Sequence, residues 1–119
     1  MGIVVSHMRN STEPDVFALH ADICKTFAHP KRLQILNALR SGERSVTELL
    51  RLLQIPKANL SQHLAVLRGR GVVVHRRRGA NVFYAVSNPK IIRACDLMRQ
   101  VLMEQVRQES RAVRRWRTG

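Results

Sequence analysis

Acidic side chains are the scarcest chemistry in this 119-residue chain: eight Asp plus Glu stand against 21 Lys plus Arg, a formal charge of +13. Those eight acids are spread along predicted helix surfaces, so paired-carboxylate catalysis has nothing to be built from. Aromatics are only 4% of the residues, and a core must therefore be aliphatic, which suits helices of Leu, Ile, Val and Ala. No apolar run approaches the ~20 residues of a membrane-spanning helix. No glycine-rich phosphate loop is present, because Gly69, Gly71 and Gly79 mark a helix end and a turn. With no Ser-His-Asp or Cys-His arrangement either, the chain reads as a non-enzyme, and no cofactor is implied. Two cysteines and no secretory signal point to a reducing cytoplasm where thiols stay free.

What is present is one domain's worth of chain and a large cationic surplus. Such a surplus is costly through self-repulsion unless a polyanion offsets it, and it attracts phosphate backbones strongly. Nucleic acid is the expected partner, and a membrane is not. The opening MGIVVSHM is too short for a signal and reads as a partly tag-derived leader, so residues 1–12 are set apart. Residues 13–109 are expected to form the domain, and residues 110–119, containing RAVRRWR, a basic tail that frays.

Turn signals divide the domain. Ser11 or Thr12, followed by Glu13 and Pro14, opens a helix to about Phe27 that carries Val16, Leu19, His20, Ile23, Cys24 and Phe27 on one side. Pro30 starts a second helix with Leu33, Leu36 and Leu39 inward, closed by Gly42, and His29 beside it reads as a cap. Ser45 and Glu48 form a capping box for a short helix over about 46–53, which Pro56 terminates by disfavouring the α conformation at Ile55. Then KANLSQHLAVLRGRG reads as a further helix, with Leu60, Leu64 and Leu67 inward and Gly71 as its stop. A short helix, a tight turn and a second helix make a helix-turn-helix.

The stretch RGRGVVVHRRRGANVFY follows. Its two apolar runs, rich in β-branched and aromatic residues and separated by Gly79 and Asn81, read as a two-stranded hairpin with Arg76, Arg77 and Arg78 at its tip. His75 flanks that tip and faces solvent or phosphate. After Asn88-Pro89 a last helix carries Ile91, Ile92, Cys95, Met98, Val101, Leu102 and Val106. That stripe, like the one on the first helix, is broader than a small monomer can cover, so a homodimer is expected. The fold class is thus mainly α with a small β-hairpin: about five helices and a two-stranded wing, homodimeric.

On the helix 57–70, Lys57, Asn59, Ser61, Gln62 and His63 face away from the leucine stripe, near the end that enters a major groove in this motif. Asn59 and Gln62 suit adenine edges, whereas Lys57, Arg68 and the wing arginines suit phosphates or the minor groove. The rival reading is a nonspecific nucleic-acid-binding protein that uses charge alone. The directional polar array favours specific reading of double-stranded operator DNA.

Through FAHPKRLQIL, SGERSVTELL, LSQHLAVLRGRGVV and RRRGANVFYAV, the chain resembles the ArsR/SmtB family of bacterial winged-helix repressors over roughly residues 16–106. That resemblance implies a homodimer that leaves its operator when a small effector, often a metal ion, binds. It places Ser61, Gln62 and His63 on the family's DNA-contacting Ser-x-His-Leu element and the wing on Arg76, Arg77, Arg78 and Gly79. The family's two-cysteine metal box reads Glu48-Leu49-Leu50-Arg51-Leu52-Leu53 here, and residues 89–109 contain no histidine for the second common site. Neither familiar metal site is therefore expected. SGERSV and LSQHLAVLR are similar to the sulfur-responsive branch, although Asn37 stands where that branch usually has its first cysteine. Cys24 and Cys95, on the two predicted dimer helices, are the expected effector site for thiol oxidation or reactive sulfur, with Lys25 and Arg93 near enough in sequence to activate them. Their plainer role is that of small buried hydrophobes. A metal-responsive alternative uses His20, Cys24 and Cys95, since His-x3-Cys is workable ligand spacing.

Overall fold

The computed structural model describes residues 15–118. Helix α1 spans Val16–Phe27, α2 Pro30–Ala38, α3 Val46–Leu53, α4 Lys57–Gly69 and α5 Lys90–Thr118. Strands β1 (Arg44–Ser45), β2 (Val73–Arg78) and β3 (Asn81–Val86) complete the chain. The winged helix-turn-helix expected from the sequence is therefore what forms.

Local chemistry accounts for most boundaries. The expected Ser11 or Thr12 cap and the Pro14 first turn lie outside the described residues; within them Asp15 caps α1, its side chain accepting from the Ala18 amide at 3.1 Å. His29 caps α2 as expected, Nδ1 accepting from the Lys31 amide. Helix α2 ends at Ala38, short of Gly42, which turns the chain at φ 134°. At α3 the capping box is complete: Ser45 Oγ accepts from the Glu48 amide at 3.1 Å and Glu48 Oε1 from the Ser45 amide at 2.9 Å. Gln54 ends α3 in the left-handed conformation, φ 56°, and Pro56 stands at the head of α4.

The sheet has three strands rather than two, in the order β1-β3-β2, all antiparallel. Arg44 and Ser45 pair with Tyr84 and Phe83, which fastens the hairpin to the start of α3. A two-residue strand has no periodicity of its own, and so it was invisible in the sequence. The core lies between α2, α3, α4 and the base of the hairpin: Ile35, Leu36, Leu39, Leu49, Leu60, Leu64, Leu67, Val72, Val73 and Tyr84 are buried. Leu33, expected inside, is only half-buried. The tail expected to fray is helical, since α5 continues unbroken through Thr118 and the boundary drawn at 109 falls within it. Among the described residues no helix is long and apolar enough to cross a membrane.

Candidate nucleic-acid interface

Helix α4 anchors itself with one leucine stripe and leaves the opposite side free. Leu60, Leu64 and Leu67 are buried, while Lys57, Asn59, Ser61 and Gln62 are exposed on its first two turns. No side chain caps its N-terminus. The open amides and their dipole add to the attraction for phosphate that Lys57 supplies.

His63 does not join that outward group. It is half-buried, its Nδ1 accepting from Arg32 Nε at 3.3 Å and its ring 4.5 Å from that of His29 at a 59° tilt. Burial, then the charges of His29 and Arg32, holds its pKa below the usual histidine value. The helical repeat contained this signal: position 63 lies three residues after Leu60 and four before Leu67, at the edge of the apolar stripe. Arg68 is likewise tied down in part, since its Nη1 donates to the Tyr84 hydroxyl at 3.3 Å and links the end of α4 to β3.

On the wing, the three arginines occupy the end of β2 and the turn itself is Gly79-Ala80, not an arginine tip. Gly79 takes φ 62°, a conformation open to glycine at little cost. Because strand side chains alternate, Arg76 and Arg78 share a face and both reach Glu43; Arg76 Nε donates to Oε2 at 2.9 Å. Arg78 also lies over the Phe83 ring, 5.2 Å from its centre. The arginine bonds hold the Glu43 carboxyl below its ordinary pKa. Arg77 points to the other face and has no ion pair or hydrogen bond among the described residues. His75, exposed, stacks on Tyr84.

The cysteines lie apart from this surface. Both line a cavity of about 680 Å³ between α1, α5 and the base of the wing, together with Ile23, Phe27, Val72 and Ile91. Cys24 is exposed and Cys95 half-buried, and both are free thiols. Burial pushes the Cys95 thiol pKa up, with Arg99 opposing and Asp96 reinforcing. The expected activation by Arg93 is thus not what governs it. His20 lines the same cavity, yet among the described residues no three His, Cys, Asp or Glu side chains are close enough to hold a metal ion. The ligand set His20, Cys24 and Cys95 is therefore not assembled.

A two-helix reading motif with a basic wing, and an exposed polar face at the head of its second helix, defines a winged helix-turn-helix regulator that binds DNA. The sequence pattern of the arsR family of bacterial regulatory proteins matches residues 29–74, from the cap of α2 into β2. The HTH-type transcriptional regulator Rv0081 of Mycobacterium tuberculosis is 42% identical over 92 residues, which cover 76% of this chain and 80% of that protein. Its crystal structure superposes with a TM-score of 0.73 at 38% identity over 82% of this chain and 98% of that one. The transcriptional repressor PagR of Bacillus anthracis is 39% identical over 72 residues, 60% of this chain and 72% of its own. A homodimeric winged helix-turn-helix DNA-binding domain from Mycobacterium bovis, solved in solution, is similar at a TM-score of 0.71 with 26% identity, over 83% of this chain and 95% of that one. This chain belongs to the ArsR family of bacterial transcriptional regulators. Its relatives are regulators rather than enzymes.

Proposed function

We propose that the protein is a cytoplasmic repressor that binds double-stranded operator DNA as a homodimer and lets go when Cys24 and Cys95 react. One observation carries the DNA reading: Lys57, Asn59, Ser61 and Gln62 stand exposed on the first turns of α4, on a helix otherwise held by buried leucines. Asn59 and Gln62 read base edges, Ser61 adds a hydroxyl, and Lys57 with Arg77 grips the backbone. Arg76 and Arg78, paired with Glu43, contribute less to that grip. His63 and Arg68 act from behind, as supports.

PagR's name as a repressor supports the sign of regulation. The exposed apolar faces of α1 and α5, and the homodimeric relative, support the dimer. The shared cavity supports the thiol switch. Cys24, the more exposed thiol, meets an oxidant first, and Cys95 then closes a disulfide; two protons and two electrons pass to the oxidant, for example diamide, which is reduced to its hydrazine. Bridging requires the Cα atoms within roughly 7 Å, so a disulfide fixes the spacing of α1 and α5.

Two experiments test this. A duplex selected by the protein from a random pool is compared with a scrambled duplex across a salt series: the selected one stays tighter throughout, and Gln62→Ala narrows the gap by about 1–3 kcal/mol at one or two positions. Equal affinity for both duplexes at every salt concentration refutes sequence reading. For the switch, diamide or polysulfide abolishes binding by the unmodified protein and leaves Cys24→Ser bound; unchanged affinity in both removes the cysteines from regulation.

A further inference from the structure

Helix α4 is held to the body by a polar fastening as well as by its leucines. Arg32, on the first turn of α2, donates from Nε to His63 Nδ1 on α4 and from Nη1 to the Thr26 carbonyl in the last turn of α1, each at 3.3 Å. That turn of α1 is itself fixed, because the buried Thr26 hydroxyl donates to the Asp22 carbonyl at 2.9 Å. The ring of His29 closes against His63, and His29 is fixed by capping α2. No carboxylate pairs with Arg32 among the described residues. Its planar fork is spent on two neutral acceptors from two helices, a geometric use that suits a guanidinium better than an ammonium.

We propose that Arg32 is the positioning residue of the recognition helix, bracketing α4 through His63 to the end of α1 and so setting where the outward face of α4 stands. This rests on α4 being the helix that reads DNA. Because Cys24 lies two residues before Thr26 on α1, the bracket is also a mechanical route from the cavity to α4.

The bracket works in one protonation state of His63. To accept at Nδ1 the imidazole must be neutral with its proton on Nε2; a second proton removes the lone pair and sets a cation beside Arg32. The charged groups acting on His63 come from the cap of α2 and from α2 itself, namely His29 and Arg32; α1 contributes a carbonyl held through Arg32, and no carboxylate enters. The folded state therefore favours neutral His63. Its contribution is whole above about 6.5, and it is lost as pH falls through that unfolded value towards the lower folded one. Positioning of α4 should be lost with it. Nonspecific attraction runs the opposite way, since histidines that gain charge on acidification strengthen binding to phosphate.

The test measures affinity for the selected and scrambled duplexes at pH 7.5 and at a pH below the folded His63 pKa, located by NMR titration of its ring. Unmodified protein loses preference for the selected duplex about fivefold or more at the lower pH. Arg32→Gln loses roughly tenfold in preference at both pH values, about what one hydrogen bond carries, while binding the scrambled duplex within twofold of the unmodified protein, which shows it is folded. Arg32→Lys falls between. His63→Gln, whose amide oxygen accepts from Arg32 but does not titrate, keeps its preference at both pH values. A preference that holds or rises at that lower pH in the unmodified protein overturns the proposal, as does an Arg32→Gln that weakens both duplexes equally. Failure to select any preferred duplex overturns the DNA reading beneath it, a result distinct from either.

Discussion

The body of the molecule and its α1–α5 face use the same apolar residues to opposite ends. In the body, Leu36, Leu49, Leu60, Leu64 and Leu67 are sealed from solvent. On the other face Val16, Phe17, Leu19, Leu97, Met98, Val101, Leu102, Met103 and Val106 all stand exposed, Phe17 at 83% and Met98 at 60%. A soluble monomer seldom carries so large an apolar surface without using it. The difference separates a unit finished within one chain from a surface that the proposed dimer would cover. On the proposed function, DNA reading belongs to the finished unit, and the spacing between two such readers belongs to the unfinished one.

Substitutions on the two sides sharpen that division. The largest effect is expected at Leu60→Ala, which opens a cavity beneath α4 and costs about 2–5 kcal/mol of unfolding free energy. Phe17→Ala should shift the same denaturant midpoint by no more than a few tenths of a kcal/mol in dilute solution while weakening self-association. If Phe17→Ala unfolds the chain as readily as Leu60→Ala, the two regions are not distinct. Ser45→Ala, which removes one half of the capping box at α3, should cost about 1 kcal/mol in urea melts.

On the wing, Arg77→Ala should make the salt slope of DNA binding shallower by about one unit. Arg76→Ala should change it less, because Glu43 already neutralises that guanidinium. Equal slopes would show that the Glu43 pairing does not persist in solution. The smallest effect concerns acid. Hydrogen bonds from Arg40 and Arg99 lower the Asp96 pKa, those from Ser45 lower that of Glu48, and that from Arg76 lowers that of Glu43. These groups stabilise the fold above their unfolded values near 4, and the contribution fades as pH drops through and below that point. Glu43 is exposed and Glu48 and Asp96 are only half-buried, so thermal melts between pH 5 and 3 should show a shallow decline; Asp96→Asn should flatten part of it.

Much of the fold was legible because punctuation and periodicity agreed. Pro30, the Ser45–Glu48 box, Pro56 and Gly71 bound the elements almost where the chain turns, and the leucines at 60, 64 and 67 identify the inner face of α4. Three things were not legible. β1 is two residues long and exists only because β3 is beside it. The arginine run reads as a single patch, whereas strand alternation splits it between a Glu43-facing pair and Arg77. Arg32 looks like one more cation in a basic chain, since its two acceptors lie 31 residues ahead and six behind. Contacts over such separations leave no local trace in a single sequence.

Sedimentation equilibrium of the unmodified chain, set beside a variant carrying both Met98→Glu and Leu102→Glu, puts the division most directly to the test. The unmodified protein should sediment as a dimer at micromolar concentration, and the double variant as a folded monomer that no longer binds the selected duplex. An unmodified chain that remains a monomer over that range would show the α1–α5 face to be no interface between copies of the chain.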